Sequence, residues 1–466
     1  MRRLPLYLFA LLIAACGPET RPSDAVEGAP CETGAVAPCY SGQEGTEGVG
    51  ACKAGTRRCE PTGNWGTCLN EVVPTQEVCT DGIDNNCNGT IDEDEDRDGD
   101  GVTTCGGDCC DSTECGSPAL VNPGAFDAPG NNFDDDCNGV VDDTVPLCDQ
   151  GLASNSSNAL DYAKAIDLCQ TATMADKKWG VIDAQFTLAN GSGMPAAKAR
   201  AIRDRFGTGV NPKGGVKLAL LSTGAAAGQG DTNPNYQDFE SGLGNNTSSP
   251  FPADFVAANG NSLPNAPGCP GPRGAQAYDP IMLTLKVRVP TNAKSFKLAT
   301  NFFSSEFPEY TCSEYNDFFV VLLDSTYNGP TPNPADKNLA FYQGNGGKYP
   351  VGVNLAHGNT GLFTQCQNGT TGCYGVDGSI MTCTGTDQLQ GTGLQQISED
   401  NCDPSSLQGG GTGWLETSGN VTPGEIITLR IAIWDTSDAA LDSIAAIDGF
   451  TWSVDASQPG TVIYKQ

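Results

Sequence analysis

The chain has 466 residues, with 56 Asp and Glu against 25 Lys and Arg, a single histidine, 59 glycines, 30 prolines and 21 cysteines. At about 100–200 residues per domain this length accommodates two to four domains with real cores. A formal charge of −31 repels phosphate backbones and anionic membranes and favours cations as partners, while one histidine excludes His-rich metal centres and the HExxH helix, leaving hard-ion binding through oxygen as the chemistry this composition suits.

The N-terminus opens with a basic Met1-Arg2-Arg3, an apolar run from Leu4 to Ile13, and Ala14-Ala15-Cys16. The run is shorter than the ~20 residues a bilayer-spanning helix needs. It resembles a bacterial lipoprotein signal. The resemblance implies cleavage before Cys16, a diacylglyceryl thioether and an acylated amine on that residue, and an outer-membrane location, since Gly17 rather than an aspartate follows. Residues 17–30, polar and containing Pro and Gly, then read as a flexible tether.

Without Cys16 there remain 20 cysteines, 14 up to Cys169 and six from Cys269. An exported chain meets oxidising conditions, so disulfides are expected, with connectivity left open by the spacing. Adjacent Cys109 and Cys110 require separate partners. The rival is a zinc site from Cys105, Cys109, Cys110 and Cys115, which lacks paired CxxC knuckles. Residues 31–68 are too glycine-rich to bury much apolar surface and need bridges, with Trp65 as their small core.

An internal repeat follows. Asp84-Asn85-Asn86-Cys87-Asn88-Gly89 through Asp92-Glu93 matches Asp134-Asp135-Asp136-Cys137-Asn138-Gly139 through Asp142-Asp143 at an offset of 50 residues. Asp84, Asn86, Asn88 and Asp92, and likewise Asp134, Asp136, Asn138 and Asp142, present side-chain oxygens at the spacing with which a short loop wraps an ion. Between the copies, Asp96, Asp98 and Asp100 take positions one, three and five of a calcium loop, Gly101 makes the turn and Val102 offers its carbonyl. Gly107 stands where the usual glutamate belongs, so Asp108 or Asp111 is expected to close the site. Residues 71–150 hold 21 acidic side chains and one basic one, Arg97. A solvated acidic tail would need no such patterning.

From Glu77-Val78-Cys79 through Val121-Asn122-Pro123-Gly124-Ala125 to Asp143, these segments resemble the metal-binding motif repeats of MopE type found in bacterial surface proteins, over roughly residues 31–148. The family label implies copper; the histidine-free oxygen donors suit calcium, because hard ligands select hard cations. The resemblance also implies a local Cys79 to Cys87 pairing, which copy two cannot repeat because Pro129 replaces the first cysteine.

From residue 151 cysteines thin out and apolar periodicity appears. Leu160, Ala163, Ile166 and Cys169 predict one helix, and Pro195 to Phe206 a second. Leu283, Leu285, Val287 and Val289 alternate as a half-buried strand with Phe296, Leu298, Thr300 and Phe302 as its neighbour. Phe318 to Leu323 fits a strand buried on both faces, and Ile427 to Ile433 alternates again. The fold class expected is mainly β: a jelly-roll-like sandwich over 151–466 with a few peripheral helices, preceded by a small disulfide-rich, loop-dominated region over 31–150.

Phe303-Ser304-Ser305-Glu306-Phe307-Pro308-Glu309-Tyr310, Cys312 to Phe318, and Ile433-Trp434-Asp435-Thr436-Ser437-Asp438 to Leu441-Asp442-Ser443 resemble the choice-of-anchor L domain of bacterial surface proteins, across about 155–455. Two acidic loops lie in these motifs. Glu306 and Asp317, and Asp435, Asp438 and Asp442, form a candidate second metal site if the loops converge; the alternative is that the aspartates cap their own turns. His357 reads as a loop residue without a nucleophile.

The expectation is a non-catalytic, lipid-anchored surface protein whose calcium-stabilised repeats present the sandwich to a cell-surface protein or glycan, with no nucleic acid partner. Copper acquisition at the surface is the alternative and a carbohydrate-active enzyme the third class.

Overall fold

A computed structural model describes residues 29–111, 115–143, 147–239, 244–344, 346–358, 360–367, 369–370, 380–381, 383–397 and 407–465. The signal segment, Cys16, the tether to residue 28, Cys373 and Cys402 lie outside these. By compactness the chain divides between Ala119 and Leu120, earlier than the change of composition near residue 150.

The first unit has little regular structure. Strands β1 (Val36–Cys39) and β2 (Gly55–Arg58) pair antiparallel, Val36 opposite Arg58. Its buried apolar residues are mostly cysteines, whereas Val36, Leu69, Val78, Ile83 and Ile91 are exposed. Disulfides substitute for a core: Cys31–Cys59, Cys39–Cys68, Cys52–Cys87, Cys79–Cys105 and Cys110–Cys115. Cys109 is disulfide-bonded too, so the adjacent pair does have separate partners and none of the four cysteines is free for zinc. The Cys79 to Cys87 pairing is not formed. The Glu77 carboxylate already closes that loop by accepting the N–H groups of Asn85 (3.3 Å) and Asn86 (3.1 Å), and each cysteine instead ties the repeat to a neighbouring segment. Trp65 is half-buried beneath the Arg57 guanidinium, 5.1 Å from its ring centre.

The second unit is a β-sandwich. Its first elements are helix α1 (Ala159–Ala165), β3 (Gly180–Thr187), β4 (Arg200–Arg203), β5 (Leu218–Ser222), β6 (Ser248–Pro250) and helix α2 (Ala253–Ala258). The long strands follow: β7 (Gln276–Arg288), β8 (Ser295–Ser304) and β9 (Phe318–Asp324). Three short antiparallel ribbons come next, β10 (Phe341–Gly344) with β11 (Gly347–Pro350), β12 (Gly369–Thr370) with β13 (Ile380–Met381), and β14 (Gln396–Ile397) with β15 (Leu407–Gln408). Last are β16 (Gly410–Gly411), β17 (Leu415–Asn420), β18 (Ile426–Thr436), β19 (Ser443–Ser453) and β20 (Gly460–Ile463).

One sheet runs β20-β17-β8-β19-β5-β4 with β16 on β8, the other β3-β7-β18-β9 with β6 on β7. Successive long strands alternate between the sheets. The main core lies between them: Leu283, Leu285 and Val287 of β7, Phe319, Val321 and Leu323 of β9 and Leu429 and Ile431 of β18 meet Phe296, Leu298 and Phe302 of β8 and Ala445 and Ile447 of β19. The period of two in each strand assigns the intervening side chains to outer faces. Phe318, Val320 and Leu322 of β9 pack outward with Trp434 and Phe255 of α2, so β9 is buried on both faces as its continuous apolar run predicts.

Two local expectations fail. Residues 195–206 are not a helix: a short 3-10 turn at Ala197–Ala199 leads into β4, which pairs with β5 from Arg200 opposite Leu221 to Arg203 opposite Leu218. Sheet pairing outweighs helix propensity here because both arginines find partners, Arg200 over the Phe186 ring and Arg203 on the carbonyls of Thr232 and Pro234. β8 is likewise not the neighbour of β7. The chain crosses at Pro290 to Lys294 into the opposite sheet, and β7 pairs with β3 and β18. Helix α1 forms as expected, N-capped by Asn158 on the Leu160 N–H, and buries Tyr162 and Ala163.

The second repeat copy packs within this unit. Thr291 donates its hydroxyl to Asn122 Oδ1 (2.7 Å), and Asn292 exchanges hydrogen bonds with the backbone of Phe126 at 3.0 and 2.8 Å.

Candidate metal centre

Aspartates at every second position of a loop point inward only if the backbone coils, and left-handed glycines permit that coil. Gly99 and Gly101 adopt φ of +79° and +89°. The Asp96 carboxylate accepts the N–H groups of Gly99 (2.8 Å) and Gly101 (3.1 Å), Asp98 accepts that of Asp100 (3.0 Å) and Asp100 that of Val102 (2.7 Å). A 3-10 turn over Thr104–Gly106, capped by Thr103 and ended by Gly107 at φ +98°, then reverses the chain. This returns Asp108 and Asp111 to the loop. Asp111 accepts the Arg97 N–H (3.0 Å) and the Thr104 hydroxyl (2.7 Å).

Among the described residues three groups bring ligand atoms within 4.8 Å of one another: Asp96 with Asp98 and Asp100, Asp98 with Asp108 and Asp111, and Cys269 with Cys312 and His357. The last is no metal site, since Cys269 and Cys312 are bonded to each other. The first two are adjacent three-carboxylate groups that share Asp98. Asp108 is fully buried, and its Oδ2 and that of Asp98 have no hydrogen-bond donor. Burial, followed by the surrounding carboxylates, raises both acids above the ordinary range, Asp108 to about 6. Oxygen-only donors with two orphaned oxygens fit a hard cation such as Ca²⁺, which takes six to eight oxygens and would be held by Asp96, Asp98, Asp100, Asp108 and Asp111.

The two repeat copies share one hydrogen-bond plan. Asp84 accepts the N–H groups of Asn88 (3.1 Å) and Gly89 (2.9 Å), as Asp134 accepts those of Asn138 (3.0 Å) and Gly139 (2.8 Å). Asn86 and Asp136 each cap the N–H of the asparagine two residues on, at 3.0 and 3.2 Å. Positive φ recurs at Cys87 and Cys137, Gly89 and Gly139, and Asp92 and Asp142. Asp92 and Asp142 are not drawn into these sets; they turn back to the N–H groups of Gly82 and of Gly130 to Asn132. The fourth side chain is instead Glu93, which accepts Asn86 Nδ2 (2.6 Å) and Asn88 Nδ2, and in copy two Asp143, which accepts Asn138 Nδ2 (2.9 Å). The acid that ends both copies was the available signal for these.

In the sandwich, Glu306, Asp317, Asp435 and Asp442 lie at the ends of paired strands, all buried, with the Asp317 N–H on Glu306 (3.4 Å) and the Ser443 hydroxyl on Asp317 (2.6 Å), though in no group as tight as 4.8 Å. Asp438 is half-buried and caps the Ala440 N–H (3.1 Å), and Glu314 pairs with Arg273. A further cluster carried no sequence signal. Asp149 accepts the N–H groups of Val216 (2.5 Å) and Lys217 (2.6 Å), and Asp448 those of Lys213 (2.5 Å) and Gly214 (3.2 Å). Asp167 approaches Gly214 and Gly215 so closely that a Cβ on either would strike it or its neighbour Asp149. Burial raises Asp167 to about 6 and Asp448 to about 7.

A disulfide-stapled, oxygen-rich repeat region and a two-sheet sandwich make up the chain. Residues 220–450 match the family model described as "Choice-of-anchor L domain", and residues 74–93 and 117–143 that described as "Putative metal-binding motif". Residues 220–450 are thus similar to the choice-of-anchor L domain and the two shorter segments to a MopE-type motif, in line with the sequence resemblances, and together the matches suggest a surface protein with metal binding. The domain match begins within β5, so β3, β4 and α1 extend the sandwich beyond it. No curated protein and no solved structure matches the chain. Among the described residues no helix is long and apolar enough to cross a membrane.

Proposed function

We propose that this is a lipid-anchored outer-membrane surface protein without catalytic activity, in which calcium uptake stiffens the acidic repeats and the sandwich presents a recognition face to a cell-surface protein or glycan. The observation that carries it is the 96–111 segment, where two carboxylate triads share Asp98 and two buried oxygens lack donors. Apart from a cation these charges repel, so binding and local folding are coupled. The donor set supports calcium over the copper of the family label: it is all oxygen, and every described cysteine is in a disulfide. A non-catalytic role is supported by the burial of Glu306 and Asp317, at 2% and 0% exposure, which closes them to a saccharide chain.

The test is metal analysis and thermal melting of the full mature chain. Calcium at more than one equivalent, and a melting temperature that falls on adding EGTA, are expected. Copper in place of calcium, or a melt indifferent to EGTA, overturns the calcium reading. Intact mass of membrane-extracted protein reads the anchor: the expected species starts at Cys16 and carries acyl chains, and an unacylated N-terminus sinks that part.

A further inference from the structure

The two sheets of the sandwich end together on one side, and each brings two carboxylates there. In the larger sheet Ser304 of β8 lies opposite Ser443 of β19; Glu306 is two residues beyond the first and Asp442 one before the second. In the smaller sheet Phe318 of β9 lies opposite Trp434 of β18, with Asp317 just before the one and Asp435 just after the other. Hydrogen bonds already cross between the sheets here. Ser443 donates its hydroxyl to Asp317 Oδ2 (2.6 Å), and the Asp317 N–H reaches Glu306 Oε2 (3.4 Å).

Asp317 and Asp435 are 0% exposed, Glu306 2% and Asp442 3%. Both oxygens of Asp435, Oδ1 of Asp317 and Oδ1 of Asp442 have no hydrogen-bond donor. Burial first, and then nearby carboxylates that include Asp438 and Asp442, raise Glu306, Asp317 and Asp435 well above the carboxylate range, against the lowering contacts of Ser443 and Asp435 with Asp317 and of Thr223 with Asp435; no basic group is prominent around any of the three, and Lys198 acts only on Asp442. Buried carboxylates without a counter-charge are strongly disfavoured, so protons or a cation must neutralise them. One shared proton satisfies one oxygen pair. Four orphaned oxygens on three side chains, with no nitrogen or sulfur donor among the four residues, are the donor type a hard divalent ion takes, and since no three of these carboxylates stand within 4.8 Å of one another the side chains have to close in to hold it.

We propose that an ion of the Ca²⁺ class is held between Glu306, Asp317, Asp435 and Asp442, the side chains drawing in around it, and that it clamps the two sheets at this end. The site is separate from the 96–111 centre, so the two readings can fail independently. The experiment uses the full chain with Asp98→Asn and Asp108→Asn to disable the first centre, calcium content after exhaustive dialysis, and Tb³⁺ luminescence excited through tryptophan, Trp434 being adjacent to Asp435. Adding Asp435→Asn is expected to remove a further equivalent of calcium, quench the sensitised Tb³⁺ signal and lower the melting temperature. Unchanged calcium together with a higher melting temperature overturns the proposal, because that is how a protonated cluster relieved of repulsion responds. If Asp435→Asn does not fold, Asp442→Asn carries the test: lost calcium retention supports the clamp, and retention equal to the background variant overturns it.

Discussion

The acidic first unit and the sandwich solve the same problem by opposite means. In residues 29–111 the chain leaves Leu69, Val78, Ile83 and Ile91 in solvent and closes itself with disulfides and carboxylates that accept backbone N–H groups. In the sandwich apolar clusters fill the interior and both outer faces, and the disulfides Cys148–Cys169, Cys269–Cys312 and Cys366–Cys383 lie in segments outside the strands. Covalent and ionic closure respond to redox state and to metal. Hydrophobic burial responds to neither, so away from the Glu306, Asp317, Asp435 and Asp442 end of the sandwich, perturbations should separate the two regions.

The largest separation comes from reduction. Each disulfide is worth about 2–4 kcal/mol, and the first unit has little else, so dithiothreitol with EGTA should abolish hydrogen-exchange protection across residues 29–111 while the amides of β7, β8, β18 and β19 stay protected. Loss of sandwich protection first would break the contrast.

A smaller effect follows from pH. Asp448 and Asp167 titrate near 7 and 6 because burial favours their neutral forms. A raised acid contributes stability below its unfolded value that is lost as pH climbs through its folded one. With EGTA present, the sandwich should therefore melt lower at pH 8 than at pH 5, on the order of several degrees, and Asp448→Asn should make that slope shallower, the remainder coming from Asp167 and the raised carboxylates Glu306, Asp317, Asp435 and Asp442. Asp108, at about 6, gives the first unit the same sign without metal; saturating Ca²⁺, which needs the ionised carboxylate, should reverse it. A pH-independent melt in Asp448→Asn and parent alike would remove this contrast.

The smallest effect tests what the two units share. Gly89 and Gly139 sit at φ +97° and +90° with nothing crowding a Cβ at either. Alanine at each should cost a similar 1–2 kcal/mol, roughly the left-handed backbone penalty alone, as measured by chemical denaturation. Unequal costs would mean that the surroundings, not the motif, set the turn.

Local patterning made much of this legible. The strands at 283–289, 318–323 and 427–433, and the return of Asp108 and Asp111 to the 96–100 loop, follow from period and spacing within a few residues of each other. What was not legible depends on partners far along the chain. Residues 195–206 carry a helix-compatible pattern and become a strand because β5 offers an edge. β8 looks like the partner of β7 until the turn after Val289 sends it to the other sheet. Asp149, Asp167 and Asp448 gather around one glycine pair from three distant segments, and no spacing rule links them. Asp92 fits a ligand position yet caps a turn, since carboxylates spaced for an ion are also spaced for backbone N–H groups.

The order of the disulfides in the first unit has a mechanical corollary. The spans 31–59, 39–68, 52–87 and 79–105 overlap end over end, so every peptide bond between Cys31 and Cys105 is bracketed by at least one bridge. A single cut by an external protease anywhere in that stretch severs the backbone without parting the chain: whatever lies beyond the nick stays covalently tethered to what precedes it until the sulfurs are reduced.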